Sequence, residues 1–374
     1  MVDITGFAPA RFAAVKDAFA GSFAAGEELG ARFTLVEDGE VVLDLMGGWA
    51  DRGRVRPFGE HTLVPVFSTT KAVAALMIAR LVDAGKLDYV QTVASVWPEF
   101  GQAGKDAVTI EQAISHQAGL PGFPDPMDPG LWVDWDAICG RLAAMAPMWP
   151  PGSASGYHPV TVGYIAGEIF RRVDGRTIGT AFREDIGDPY GLDIWVGLPA
   201  DAEGRVAELQ RPSAMPDFGE VNDATRAAFL APWSSAAGKA GAEYRRMEVP
   251  STNGYATAEA LARLMGALAN DGWLEGGEIL SPALIAEASR ERIRGQDLVL
   301  PYVMSWAAGF MRNEINFPWG PGTRSFGHSG WGGSCAFADP ERKLGGAYVM
   351  NKQGVALMGD GRPKRLIEAA YAAL

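Results

Sequence analysis

Apolar positions along the chain change their period several times, and each change marks an element. Residues 9–25 carry Ala and Phe at helical spacing and predict an opening amphipathic helix. Arg32-Phe33-Thr34-Leu35-Val36 and Val41-Val42-Leu43-Asp44-Leu45 are apolar runs on either side of an Asp38-Gly39 pair, which predicts a β-hairpin. From Lys71 to Val82 the residues are almost all apolar and free of Gly and Pro, the pattern of a helix buried on every side. Val303 to Met311, Ser334 to Ala338 and Leu344 to Met350 read as strands, the last two joined by Asp339-Pro340-Glu341-Arg342. A helix from Pro363 to Leu374 closes the chain.

The middle has another texture. Pro121-Gly122, Pro124, Pro126, Pro129-Gly130 and Pro150-Pro151-Gly152 punctuate short helical pieces, and strand-like alternation is scarce. Residues 1–100 together with 250–374 therefore predict a discontinuous α/β (α+β) domain with an antiparallel sheet flanked by helices. Residues 101–249 predict a mostly helical insertion lobe with irregular loops. Leu198 to Val249 is polar and weakly patterned, as lids and flaps are.

Composition narrows the function. The 374 residues are 48% hydrophobic, ample for a packed interior, and their formal charge is -12 with no basic stripe, which argues against nucleic acid as a partner. No apolar run approaches the roughly 20 residues of a spanning helix. The N-terminus lacks a cationic start followed by an apolar stretch, so the expected location is the cytoplasm. Cys139 and Cys335 lack metal-ligand spacing and read as small buried hydrophobes. His61, His116, His158 and His328 show no metal-ligand spacing either, so no metal or cofactor is expected, and His61 and His116 are expected to be structural. The surface fits a monomer or a small homo-oligomer.

Three segments carry candidate chemistry. Phe67-Ser68-Thr69-Thr70-Lys71 contains the one Ser-x-x-Lys of the chain, where an extended run turns into the buried helix. Ser68 would lie in the first turn, where free N–H groups favour a developing anion, and Lys71, three residues on, shares its face. Read blandly, Ser68 is a helix cap and Lys71 a surface residue. However, a cation leading into an apolar helix is costly without a task, and burial lowers a lysine pKa until the amine can take a hydroxyl proton. Gly156-Tyr157-His158-Pro159 offers a phenol whose pKa of about 10 makes it a poor base unless ammonium groups stabilise the phenolate. Phe326-Gly327-His328-Ser329-Gly330-Trp331-Gly332-Gly333-Ser334 leads into a strand, with glycines that admit a close neighbour or ligand.

In this order the three segments resemble the serine β-lactamase and penicillin-recognising superfamily, whose signatures are Ser-x-x-Lys, Tyr-x-Asn and Lys-Thr-Gly. Spacing and the variant third motif look most like the family VIII carboxylesterases. The segments Thr109–Pro121, Trp149–Gly152, Thr161–Glu168 and Ser251–Gly254 match as well, so the resemblance spans nearly the whole chain. It implies a β-lactamase/transpeptidase-like fold and an acyl-enzyme on Ser68, with Lys71 and Tyr157 sharing the proton work. It also implies an oxyanion held by the N–H groups of Ser68 and Trp331, with His328 and Gly330 at the substrate.

Departures from the lactamase pattern refine the expectation. His328-Ser329-Gly330 stands where a lysine would face a lactam carboxylate, and a histidine is mostly neutral at pH 7. Pro159 replaces the Asn of Tyr-x-Asn and has no side-chain amide for substrate or lysine. Both point to hydrolysis of short-chain neutral esters, with β-lactamase or D-amino-acid peptidase/amidase activity on the same site as the alternative, and a catalytically silent binding protein as a remoter one. The α/β-hydrolase motif Gly-x-Ser-x-Gly is not met, because Trp331 takes its last place in Gly327-His328-Ser329-Gly330-Trp331. Phe123, Trp132 and Trp135 are candidates for the wall of an acyl pocket.

Overall fold

The computed structural model describes residues 2–236, 241–313 and 318–374. Its strands are β1 (Ile4–Phe7), β2 (Gly30–Glu37), β3 (Glu40–Gly48), β4 (Val64–Pro65), β5 (Ile194–Val196), β6 (Gly254–Ala256) and β7 (Trp273–Leu274). After these come β8 (Gly277–Glu278), β9 (Ile293–Gln296), β10 (Val303–Trp306), β11 (Met311–Arg312), β12 (Phe326–Ser329), β13 (Cys335–Asp339) and β14 (Leu344–Met350). Among the described residues nine strands form one antiparallel sheet in the order β1-β3-β2-β14-β13-β12-β11-β10-β9.

The predicted hairpin is β2–β3. Asp38 (φ 50°) and Gly39 (φ 85°) both take the left-handed region, as a two-residue turn that matches strand twist requires. Side chains of β2 then alternate between two cores. Phe33 and Leu35 pack with Phe12, Phe19, Leu366 and Ile367 of the terminal helices (Ala13–Ala24 and Gly361–Tyr371). Val36 packs on the other face with Leu261 and Met265 of the Ala258–Ala269 helix. That helix crosses the sheet closely: a Cβ on Gly345 of β14 would lie 2.2 Å from the Gly266 nitrogen. The fold is therefore a sheet with helices on both faces, as the pattern predicted.

One strand expectation changes, and one strand goes unannounced. The run from Val303 to Met311 is two strands, β10 and β11, because Ala307–Phe310 forms a tight turn with Gly309 at φ 85°. Small residues are needed there, since a Cβ on Gly309 would lie 2.8 Å from that of Ala75 on the central helix. The edge strand β9, Ile-Arg-Gly-Gln, has no apolar alternation to announce it.

The Lys71–Asp83 helix is buried from Lys71 through Ala79 and packs against the Thr161–Asp174 helix. Between residues 101 and 249 the described residues form short helices separated by long irregular stretches, and this part contributes β5 to a small sheet, β4-β6-β5, which the pattern did not predict. No helix among the described residues is long and apolar enough to cross a membrane.

Candidate active site

Ser68 sits where the chain reverses sharply. Phe67 takes φ 48°, a left-handed conformation costing about 1–2 kcal/mol in a residue with a side chain, and Phe67–Thr70 forms a single 3₁₀ turn ahead of the central helix. Hydroxyls on either side of Ser68 hold that turn. Thr69 Oγ1 bonds Ser334 Oγ (3.1 Å), which donates to the Val66 carbonyl (2.9 Å), and Thr70 Oγ1 accepts the N–H of Gly254 (2.8 Å). The Ser-Thr-Thr run thus ties the turn to both sheets.

Two groups converge on Ser68 Oγ: Lys71 Nζ at 3.0 Å and the Tyr157 hydroxyl at 2.7 Å. Lys71 Nζ also lies 2.8 Å from the carbonyl oxygens of Pro159 and Ser251. Lys71 is 3% exposed, and burial alone holds its pKa well below the usual lysine range. A neutral amine has two N–H groups for the two carbonyls and one lone pair, which then faces the Ser68 hydroxyl. Burial raises the Tyr157 phenol above its usual value, opposed by the bond to Ser68, so the phenol keeps its proton. Ser68 Oγ accepts from the Tyr157 hydroxyl and from Lys71 Nζ, and with the amine neutral the serine hydroxyl can donate to its lone pair instead.

Sequence reading missed what holds Tyr157. Asp297, 4% exposed, accepts the N–H groups of Tyr157 (2.9 Å), Val299 (3.0 Å) and Leu300 (3.0 Å) on Oδ1. Its Oδ2 accepts the Ser155 hydroxyl (3.1 Å) and the Trp306 indole (3.3 Å). The Tyr157 ring stacks on Trp306 with centroids 5.6 Å apart, and His116 meets both rings edge-on at 4.9 and 4.3 Å. No motif announces Asp297 or Trp306.

The buried histidines are neutral for a shared reason. His158 bonds the Gly156 carbonyl through Nδ1 and accepts the Leu120 N–H on Nε2, and burial takes it down to about 3. His116 accepts the His158 N–H on Nδ1, and burial takes it well below the histidine range, assisted by His158, Lys71 and His328. His116 is thus part of the support for Tyr157, whereas His61 is exposed on the surface.

Two site expectations need correction. His328 has no exposed surface; its ring lies beside Tyr157 and Trp306, Nδ1 bonds the Ser329 carbonyl, and burial and Lys71 push its pKa well down. It flanks Tyr157 and does not face incoming substrate. Pro159 has no side-chain amide to offer, and its main-chain carbonyl accepts from Lys71 instead. Trp132 and Trp135 do not wall the site. Trp135 stacks on Tyr164 and Trp132 meets it at a tilt, and their indoles bond Glu168 and the Trp233 carbonyl respectively. Phe123 packs against Trp132 in the same cluster.

The rings that reach the site come from the weakly patterned segment. Phe229 stacks on Tyr157 at 6.3 Å, meets Trp331 edge-on at 6.3 Å and touches Phe218 at 5.2 Å. Gly330 brings the end of β12 onto the Ser68 turn, where a Cβ would stand 2.2 Å from the Val66 carbonyl oxygen and from Ser334 Oγ. Among the described residues the N–H groups of Ser68 and Trp331 have no backbone acceptor.

A nine-stranded antiparallel sheet flanked by helices, with a buried helix opening on Ser-x-x-Lys, defines the fold class of the serine β-lactamases and penicillin-binding proteins. The Beta-lactamase family matches residues 15–371, and the chain belongs to that family of serine hydrolases. It is 35% identical over 364 residues to the Esterase/beta-lactamase LipL of Mycobacterium tuberculosis, covering 93% of this chain and 83% of that one. A penicillin-binding protein homolog from Caulobacter crescentus has 68% identity and a TM-score of 0.98 over the full length of both chains. A family VIII carboxylesterase has 43% identity and a TM-score of 0.93, again over both full lengths, in agreement with the motif resemblance.

Proposed function

We propose that the protein is a carboxylesterase that cleaves short-chain neutral esters through an acyl-enzyme on Ser68. The observation that carries this reading is the convergence of Lys71 Nζ and the Tyr157 hydroxyl on one serine oxygen, with the amine's two N–H groups already assigned to carbonyls. In acylation the Ser68 proton passes to Lys71 as Oγ bonds the ester carbon. The resulting oxyanion is stabilised by the N–H groups of Ser68 and Trp331. As the C–O bond breaks, Tyr157 gives its proton to the departing alkoxide. The phenolate is then compensated by the Lys71 ammonium, whose nitrogen lies 4.9 Å from the ring centroid. In deacylation the phenolate takes a proton from water, and Lys71 returns its own to Ser68 as the acid leaves.

The ester preference is supported by the apolar rings of Phe229 and Trp331 beside Tyr157 and by the neutral, buried His328, which offers no charge to a substrate carboxylate. The name of LipL couples esterase with β-lactamase, and weak lactam turnover on the same serine is the second reading. A serine-directed phosphonate followed by peptide mapping tests the proposal. The expected outcome is label on Ser68, and loss of p-nitrophenyl acetate and butyrate hydrolysis in a folded Ser68→Ala variant. Retained turnover in that variant would place the nucleophile elsewhere.

A further inference from the structure

We propose that Arg362, on the last helix, is the positioning residue for the oxyanion side of the site, holding the Trp331–Gly333 turn so that the Trp331 N–H faces the reacting carbonyl. This rests on the acyl-enzyme reading above. The guanidinium is nearly buried and every nitrogen is engaged. Nη2 donates to the Gly332 carbonyl (2.7 Å) and, with Nε, to the two oxygens of Asp360 (2.8 and 2.9 Å). Nη1 donates to the Lys352 carbonyl (2.8 Å) and to Glu28 Oε2 (3.1 Å), and the Tyr348 hydroxyl donates to Glu28 Oε1.

The turn is shaped around this group. Gly332 and Gly333 take φ 89° and 125°, where a side chain is strained. A Cβ on Gly333 would stand 2.8 Å from Arg362 Nη2 and 2.9 Å from Asp360, and one on Gly332 would press on Gln353 at 2.7 Å. The Gly332 carbonyl also accepts the N–H of Gly354 (2.9 Å), so it is fixed by two donors. Within the turn the N–H groups of Gly330 and Gly333 are used, bonding Ser334 and Gly330 carbonyls at 2.7 and 3.1 Å, while that of Trp331 is left for a ligand. A planar, five-donor cation can hold Asp360, Glu28 and a carbonyl together; an ammonium cannot reproduce that fork.

Arg362→Lys tests the assignment. Loss of an entire oxyanion donor costs about 10²–10³ in kcat, so a misdirected one is expected to lower kcat by about 10–100-fold with KM nearly unchanged. Affinity for a boronic acid that forms a tetrahedral adduct on Ser68 should fall in step. A purely structural role would lower the melting temperature and leave both readouts of the folded protein at wild-type values, and that result overturns the proposal. Asp360→Asn, which keeps the arginine but loosens its bidentate hold, should show the same kcat-selective loss and decides the matter if the lysine variant does not fold. Phosphonate labelling of the wild-type chain separates the failures. No label on Ser68 overturns the acyl-enzyme reading, whereas label with both variants unimpaired overturns only the role of Arg362.

Discussion

Replacing Asp297 by asparagine removes one charge and one acceptor from the anchor of Tyr157 while barely changing side-chain shape. The amide oxygen can still take the three N–H groups of Tyr157, Val299 and Leu300, now as a neutral acceptor. The amide nitrogen then faces two donors, the Ser155 hydroxyl and the Trp306 indole. Ser155 can rotate to accept, but the indole cannot. A hydrogen bond to a charged group contributes about 1.5–3 kcal/mol, and a buried donor left unsatisfied costs about 1–3 kcal/mol. Relief of the buried charge offsets part of this, so the expected destabilisation is about 2–4 kcal/mol, read by urea denaturation. Burial raises the Asp297 pKa against the lowering by its N–H partners. The wild-type chain therefore loses stability as pH rises from the unfolded aspartate value through the folded one, and the penalty of Asp297→Asn should shrink towards higher pH. Tyr157 loses its firm main-chain anchor, and a displacement of about 1 Å costs about 10²-fold in kcat. Because that loss runs through the phenol, Asp297→Asn added to Tyr157→Phe should lower kcat little further. Multiplicative losses in the double variant, or a destabilisation below about 0.5 kcal/mol, would refute the reasoning.

In the proposed mechanism acylation needs the neutral amine, so the acid limb of kcat/KM should report Lys71 well below the lysine range. Lys71→Met should lose orders of magnitude in turnover and resist acid better, because a depressed lysine pKa gives stability that is lost as pH falls through the folded value. Gly330→Ala places a Cβ 2.2 Å from the Val66 carbonyl oxygen; circular dichroism melts and ester turnover should both fall, by about 1–3 kcal/mol for the overpacking. Glu28 is raised to about 7, chiefly by burial, with Arg362 the main lowering influence. Stability should therefore drop by about 3 kcal/mol as pH rises from the unfolded carboxylate pKa to neutrality, a slope of about 1.4 kcal/mol for each pH unit. Glu28→Gln should flatten that slope, and an unchanged slope would show that another group titrates.

Local signals carry the β2–β3 hairpin and the Lys71–Asp83 helix, because a two-residue turn and an all-apolar run are written in adjacent residues. They also carry Ser68 and Lys71, which one helical turn brings together whatever the rest of the chain does. A motif points to Tyr157 but not to its support, since Asp297 lies 140 positions away in a segment with no distinctive spacing. The aromatics that stand out in the sequence mislead for the same reason. Trp132 and Trp135 lie in the Pro/Gly-rich stretch but fold onto Tyr164, while Phe229 reaches Tyr157 from a segment that has no apolar period. The run through Val303–Met311 looks continuous because a turn made of Ala307, Ala308 and Gly309 is as apolar as a strand. Its small size is dictated by Ala75, a contact no local pattern contains.

Charge around Ser68 is controlled by withdrawal from water more than by pairing. The oxygens that Lys71 bonds are neutral, so no carboxylate among them holds its proton, and burial keeps its pKa well below the lysine range. At Tyr157 a charge does act: burial raises the phenol pKa and the negative charge of Asp297 adds to it, so the phenol keeps its proton. His116, His158 and His328 fill the space around these groups without adding a cation. With Lys71 as the proposed base, a site built this way would develop its positive charge only during the reaction. If the proposed mechanism holds, an anionic substrate would enter without a standing countercharge, whereas a neutral ester would meet the ammonium only once its own oxyanion has formed.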